Sequence, residues 1–560
     1  MGNHMILYDN RAKMGDGTEL SSDIYLPERN GKNPVILFRT PYGKNSDELL
    51  EVARGFNKAG FAFIANDVRG RGESDGRFTP YFSEANDGLA LIGHFAAEKW
   101  SDGNVITWGA SYSARIQWLT ALKKPGHLKG MISIVSPSDP FVENPTVYHS
   151  PMNLSWLFSL RGRGMQNINS VNWEEVYNHL PLLDLPEKTG AEIPIWKEYF
   201  INSPASDFWK PLFYQGKMES LDIPVMHISG WYDDEQIGTF INYENMRKQS
   251  GSAFSRNNQS LIIGPWGHAV NKDIINGHLD FGKDSKLDLV SIESKWINGI
   301  LEGKNPVHRE RVKIFLMGPN KWMDFEDWPI KNTSMVKLYL NSRTDARSVN
   351  GDGELQFEPP SHDAGSDQFT YDPMNPATFI SGEGFAQIGG PDDYSEIETR
   401  KDILVYTTEP MKESLILAGK LKGKIFVSSS CKDTDFTMMI IDSHRDGYSQ
   451  RLQDGIVRLR HREGPFKELP YTPEDLIEIE VDMWHMFHEV KKGHRLRVEI
   501  SSSAFPKYAR NQNIWGKQYA TAEYEIANQK VFHGMKYPSR VELQVLDGYE
   551  WQNRFNKPEE

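Results

Sequence analysis

Cysteine is almost missing: Cys431 is the only one in 560 residues, so no intrachain disulfide forms and no cysteine-based zinc cluster assembles. It reads as a buried, inert thiol in a strand. Positive charge is also scarce, with 63 Lys and Arg against 76 Asp and Glu and a net charge of −13. Nucleic-acid binding draws most of its affinity from cations neutralising phosphates, so that class of partner is excluded. No apolar run approaches the ~20 residues needed to span a bilayer, which argues against a membrane partner. The start, Met1-Gly-Asn-His-Met5, lacks the apolar stretch of a secretory signal; its first four residues read as a cloning remnant, and the expected location is cytoplasmic. Neither a G-x-x-x-x-G-K-[ST] phosphate loop nor an H-E-x-x-H metal spacing occurs. No metal and no organic cofactor are therefore expected, and a metal-dependent hydrolase is disfavoured. No fixed-period repeat is present.

What is there is an ordinary soluble composition, 39% hydrophobic and 25% charged, on a chain long enough for about three to four domains. The first third alternates short apolar runs with amphipathic stretches, the pattern of parallel strands joined by crossover helices. Residues 34–38, 61–65, 104–108 and 131–135 read as strands; residues 46–59, 87–100 and 112–123 carry helical spacing. From about Pro140 to Leu221 the alternation stops and Trp, Asn, Leu and Pro accumulate around helical pieces such as Trp173–His179. It resumes at 223–228 and 260–263, so a helical insertion interrupts one sheet, placed where a lid would sit. Beyond about Arg309 period-two strands dominate, among them 312–316, 337–340, 424–427 and 495–500. Short strands punctuated by Gly, Pro, Asn and Asp predict an antiparallel sandwich of jelly-roll type. The expected division is a core at 1–143 and 222–308, a helical cap at 144–221, and a β-region at 309–560.

Gly109-Ala-Ser-Tyr112 follows a strand and opens a helix, the context of a nucleophile elbow. Such a turn lifts the Ser111 hydroxyl clear of the sheet, and the helix starting at Tyr112 aims backbone N–H groups at a developing oxyanion. The full G-x-S-x-G pattern is not met, since position 113 is Ser, but small size is kept. A serine hydroxyl needs a His base oriented by a carboxylate, in chain order Ser, acid, His. Ser229-Gly-Trp-Tyr-Asp-Asp234 follows one late strand and Gly264-Pro-Trp-Gly-His268 the next. Each places its group on a loop at a strand's C-terminal end, where α/β sheets bind ligands. The segment 67–75, with Gly70, Arg71, Gly72 and Glu73, reads as a structural loop in which Arg69 or Arg71 pairs with carboxylates. His485, His488 and His494 lie among strands without paired acids and read as satisfied surface or core histidines.

Arg39-Thr-Pro-Tyr42, Asp67-Val-Arg-Gly-Arg-Gly-Glu-Ser-Asp75, Trp108-Gly-Ala-Ser-Tyr112, Gly230-Trp-Tyr-Asp233 and Gly264-Pro-Trp-Gly-His268 resemble the CocE/NonD serine hydrolases. That family includes cocaine esterase, α-amino acid ester hydrolases, glutaryl acylase and X-Pro dipeptidyl-peptidase-like proteins. The resemblance continues at Lys492-Gly-His-Arg-Leu-Arg-Val498 and Ser501-Ser-Ser-Ala-Phe-Pro506, and so spans nearly the whole chain. It implies an α/β-hydrolase core with an inserted helical cap and a C-terminal jelly roll, and a triad of Ser111, Asp233 and His268. The acid it selects is Asp233 rather than Asp234, and the oxyanion hole is the Tyr42 hydroxyl with the Tyr112 backbone N–H. The family elbow has Gly where this chain has Ala114. Glu235 resembles a carboxylate that α-amino acid ester hydrolases use to bind a substrate ammonium, although their next acidic position is Gln236 here. Trp231 and Trp266 are expected to line the substrate pocket. The expected function is cleavage of an ester or amide bond through an acyl-enzyme. An X-Pro dipeptidyl-peptidase-like or amino-ester activity is the alternative, and a non-catalytic binding protein on a relic core is the rival of another class. A small ester, amide or short peptide is the expected substrate; a monomer and a homo-oligomer both stay open.

Overall fold

In a computed structural model the described residues are 5–28, 31–304, 310–382, 384 and 387–548. The stretch Met1–His4 and the expected boundary at 308/309 lie outside them. A ten-stranded sheet runs in the order Met5–Lys13, Glu19–Leu26, Ala62–Asp67, Asn33–Thr40, Ser101–Ala110, Leu128–Ile134, Val225–Gly230, Ser260–Gly264, Val312–Leu316, Lys321–Phe325. From Ala62–Asp67 to Val312–Leu316 every neighbour is parallel, and only the two margins are antiparallel. The central strands are buried on both faces, as a parallel sheet covered by helices requires.

The helices form where capping and periodicity agree. Asp47–Lys58 starts at Ser46, whose hydroxyl accepts from the Leu49 N–H at 3.2 Å, and its first turn carries Asp47 and Glu48 against the helix dipole. Leu49, Ala53 and Phe56 bury one face of it. Glu84–Ala96 begins three residues earlier than its apolar spacing predicts and ends sooner, because the next strand already starts at Ser101.

Between Leu128–Ile134 and Val225–Gly230 lie the helices Met152–Ser159, Trp173–Asn178, Leu185–Lys188 and Pro194–Ile201. Their own aromatic core includes Trp196, Tyr199, Trp209 and Tyr214. Arg71, fully buried, ties this insertion to the sheet: it donates to the carbonyls of Pro41 (2.8 Å), Leu160 (2.5 Å) and Gly162. It thus pairs with backbone oxygens, and of the two arginines expected to meet carboxylates the one that does is Arg69, with Asp87 at 2.6 Å and Asp16 at 2.7 Å.

The second sheet has eleven strands, beginning at Thr333–Asn341 and ending at Arg540–Leu546 in the chain. All pairs in it are antiparallel except Glu354–Gln356 with Leu404–Thr407. The fold is an α/β-hydrolase core interrupted by a helical insertion and followed by a C-terminal β-domain. One assignment by pattern is corrected. Val312–Leu316 has the alternation of an antiparallel strand but pairs parallel with Ser260–Gly264, so the first sheet extends to Phe325, past residue 309. No described helix is long and apolar enough to cross a membrane.

Candidate active site

Ser111 sits on the turn between Ser101–Ala110 and Tyr112–Ala121 with φ 57° and ψ −121°, a conformation that costs roughly 1–3 kcal/mol for a residue with a Cβ. It is held there by Ser111 N–H donating to the Ile134 carbonyl at 2.9 Å. The turn needs its upstream glycine: a Cβ on Gly109 would lie 2.6 Å from the Ser113 Cβ. Ser113 therefore fits the elbow because position 109 is empty. The Tyr112 N–H begins the helix and has no carbonyl a turn earlier within it. The Tyr112 ring points elsewhere, its hydroxyl donating to Glu84 at 2.9 Å and accepting from the Tyr81 N–H at 3.1 Å.

His268 lies on the loop after Ser260–Gly264, with Nδ1 2.8 Å from Asp233 Oδ1 and 3.1 Å from Asp234 Oδ1. Asp233 is fully buried; its Oδ2 accepts from the Ser229 hydroxyl at 2.6 Å and its Oδ1 from the Glu235 N–H at 3.2 Å. Burial opposes a charge on His268, but the Asp234 carboxylate and the hydrogen bonds to both aspartates outweigh it and raise its pKa well above the ordinary imidazole value. Burial likewise pushes Asp233 up against the pull of His268, whereas in Asp234 the burial penalty is overcome by the His268 charge and its pKa falls. The imidazole thus faces two carboxylates, with the better-anchored one at 233.

Tyr42, in the loop after Asn33–Thr40, accepts from Trp156 Nε1 at 3.0 Å, and its hydroxyl is close enough to feel the Ser111 side chain. Burial raises the Tyr42 pKa, so the phenol keeps its proton and stays a donor. Trp156 belongs to the helical insertion, which thereby fixes one side of the site.

Ser111, His268, Asp234 and Glu235 all line a cavity of about 780 Å³. The insertion supplies much of the wall, including His149, Asn153, Trp156, Tyr199 and Trp209. Among the lining residues that sequence reasoning missed are the titratable Arg115, Glu143 and His149. Glu235 keeps one carboxylate oxygen buried without a hydrogen-bond partner. Its pKa is raised well above the usual carboxylate range, first by burial and then by Glu143 and Asp234. Burial pushes Glu143 up to about 7.

Trp231 and Trp266 are corrected: neither lines the cavity. Trp231 is fully buried, donates to the Phe315 carbonyl at 2.8 Å and stacks on Phe240. Trp266 fills the space left at the strand ends by Gly230 and Gly264, where an added Cβ would come within 2.0 Å of its carbonyl and 2.3 Å of its ring. The loop 231–236 is instead gripped by the second sheet. Gln453 Nε2 donates to the Trp231 carbonyl at 2.8 Å and Gln450 Nε2 to the Tyr232 hydroxyl at 3.2 Å.

The C-terminal histidines also differ from expectation. Asp442 accepts from His488 Nε2 and His494 Nδ1, each at 2.9 Å, so two of them do have a paired acid. His485 packs at a tilt on Phe240, 4.3 Å between ring centroids, and burial lowers its pKa to about 3. Cys431 is buried just beyond the strand Leu415–Ser429. Among the described residues two groups, Asp442–His444–His494 and Asp233–Asp234–His268, bring potential metal-ligand atoms within 4.8 Å of one another.

Two family models cover most of the chain: X-Pro dipeptidyl-peptidase (S15 family) over residues 16–270 and the X-Pro dipeptidyl-peptidase C-terminal non-catalytic domain over 305–542. Cocaine esterase of Rhodococcus sp. (strain MB1 Bresler) is 28% identical over 97% of this chain and 99% of its own. Over nearly its whole length the chain is thus similar to serine hydrolases of the X-Pro dipeptidyl-peptidase and cocaine esterase kind. Among solved structures, an α-amino acid ester hydrolase superposes with a TM-score of 0.84 at 22% identity, covering 97% of each chain. An aminopeptidase from the marine sediment archaeon Thaumarchaeota archaeon does so with 0.85, also at 22% identity and 97% of each chain. At that identity the likeness speaks for the fold.

Proposed function

We propose that this serine hydrolase cleaves esters by two-step acyl transfer, with Ser111 as nucleophile, His268 as general base and Asp233 as the acid that orients it. The observation that carries the reading is the 2.8 Å contact from His268 Nδ1 to a fully buried Asp233, on an imidazole that shares its cavity with Ser111. His268 takes the hydroxyl proton as Ser111 Oγ bonds to the ester carbonyl carbon. The Tyr42 hydroxyl and the Tyr112 N–H donate to the oxyanion, and the protonated imidazole returns its proton to the departing alcohol. Water, deprotonated by the same His268, then attacks the acyl carbon; the bond to Ser111 Oγ breaks, the acid is released and the imidazole returns its proton to Oγ. Asp233 keeps the proton on Nδ1 so that Nε2 is free to accept. In this reading the insertion, residues 144–221, acts as a cap over the site.

A second reading concerns the substrate. Glu235, with an unpartnered buried oxygen, and Glu143 and Asp234 in the same cavity favour a substrate with a free α-amine. An ammonium there would supply the missing counter-charge. Steady-state rates on a panel of simple esters, α-amino esters, their deaminated analogues and X-Pro anilides test both readings. Turnover of esters that vanishes in Ser111→Ala is the expected result; equal rates with and without the amine would remove the second reading and leave the first.

A further inference from the structure

Arg115 is the buried charge that acyl transfer as described above leaves unused. It lies on Tyr112–Ala121 four residues after Ser111, hence on the same helix face, ~6 Å away between Cβ atoms. Helical side chains lean toward the N-terminus, which carries this guanidinium back toward the serine. It is 8% exposed and lines the cavity. Among the described residues its one hydrogen bond is a long one, Nη2 to the Leu212 carbonyl at 3.4 Å, its Nε is buried without a partner, and no carboxylate is within ion-pair distance. The guanidinium rests on the Tyr81 ring, 4.7 Å from its centroid. The neighbours hold the charge only from a distance: Tyr81, Tyr214, Glu143 and Asp139 raise the Arg115 pKa against burial without an ion pair to it, and burial lowers His149 to about 4, leaving it neutral.

An unpaired buried cation is costly, and the planar fork of a guanidinium matches a carboxylate. Arg69, Arg458 and Arg460 of this same chain each meet that demand with an aspartate. We propose that Arg115 receives a carboxylate of the substrate, so that the enzyme prefers esters bearing a free carboxylate a few bonds from the scissile carbonyl. This rests on the cavity being the active site and specifies what it accepts. With Asp234 and Glu235 beside His268, the cavity then offers acceptors for a cation on the acid loop and donors for an anion on the helix of the nucleophile.

The test needs matched pairs of unactivated esters followed by pH-stat. Monoethyl esters of four- to six-carbon dicarboxylic acids are compared with ethyl alkanoates of equal length, and acetate esters of short hydroxy acids with acetates of alkanols. The first pair places the carboxylate on the acyl side and the second on the leaving side. In the wild type one carboxylate-bearing member is expected to show a KM lower by ~10–100-fold, the span of a charge-assisted pair. Arg115→Met should bring that ratio close to one, and Arg115→Lys should restore part of it, which a purely structural role would not do. The free dicarboxylate should also slow fluorophosphonate labelling of wild-type Ser111, a readout that needs no variant. No preference in either pair, with Ser111 still labelled by the probe, would overturn the carboxylate assignment alone. Absence of both ester turnover and labelling would instead overturn the active-site reading and this inference with it.

Discussion

Replacing Asp233 and Asp234 one at a time by asparagine separates two carboxylates that both touch His268. The contacts are nearly equal in length, 2.8 and 3.1 Å, but the anchoring is not. Asp233 is fixed by the Ser229 hydroxyl and the Glu235 N–H and is fully buried, so an amide there either turns its N–H toward Nδ1 or leaves those donors unmatched. The first orientation drives the imidazole to the wrong tautomer. The expected loss for Asp233→Asn is ~10⁴ in kcat, about 5.5 kcal/mol of transition-state stabilisation. Asp234→Asn leaves the orienting bond intact and removes one of two charges that raise the His268 pKa. Catalysis needs the neutral imidazole, and a raised pKa sets the acid limb of the kcat/KM profile above the ordinary imidazole range. Removing the Asp234 charge should therefore move that limb to lower pH. At a pH below the wild-type limb the variant should be faster than the wild type; on the plateau it should lose less than about tenfold. Initial-rate profiles from pH 5 to 9 on a small neutral ester read both effects. If Asp234→Asn abolished turnover while Asp233→Asn retained it, the orienting acid would be the wrong one.

Tyr42→Phe removes one oxyanion donor and leaves the Trp156 indole without its acceptor; kcat should fall by ~10²–10³ with KM little changed, read by steady-state kinetics. Trp231→Ala should lower stability by about 3–5 kcal/mol in denaturant titration, because the indole is packed at the junction of the two sheets. Its KM should follow that of the wild type at temperatures where the variant is folded, since the ring is outside the cavity.

The parallel core was legible because strand and crossover helix have different hydrophobic periods, and the turn at 109–112 because strand, glycine, serine and helix follow in order. Sheet membership was not: Val312–Leu316 alternates like an edge strand, yet the pairing of a strand depends on partners that its own residues do not name. The antiparallel strands Met5–Lys13 and Glu19–Leu26 escaped notice because their polar alternation carries little signal. Trp231 and Trp266 stand two residues before the acid and the base in the chain, but both lie in loops past the strand ends, where spacing does not set side-chain direction, and the glycines at 230 and 264 leave room for the Trp266 residue. Which of Arg69 and Arg71 meets carboxylates stayed open because an isolated sequence cannot display the three inward-turned carbonyls that take Arg71. Arg115 did leave a trace: it is the only charged residue in a ten-residue helix whose other positions are apolar or neutral, and every residue of that helix is buried. A lone charge on such a helix is affordable only beside a cavity or a partner.

The central claim, that the Ser111 hydroxyl is the group activated by His268, is tested most directly by mass spectrometry of the chain after a fluorophosphonate. The account predicts a single adduct mapped to the peptide carrying Ser111, absent in Ser111→Ala and formed at least ~100-fold more slowly in His268→Ala. An adduct on another residue, or one formed equally fast without the imidazole, would contradict it.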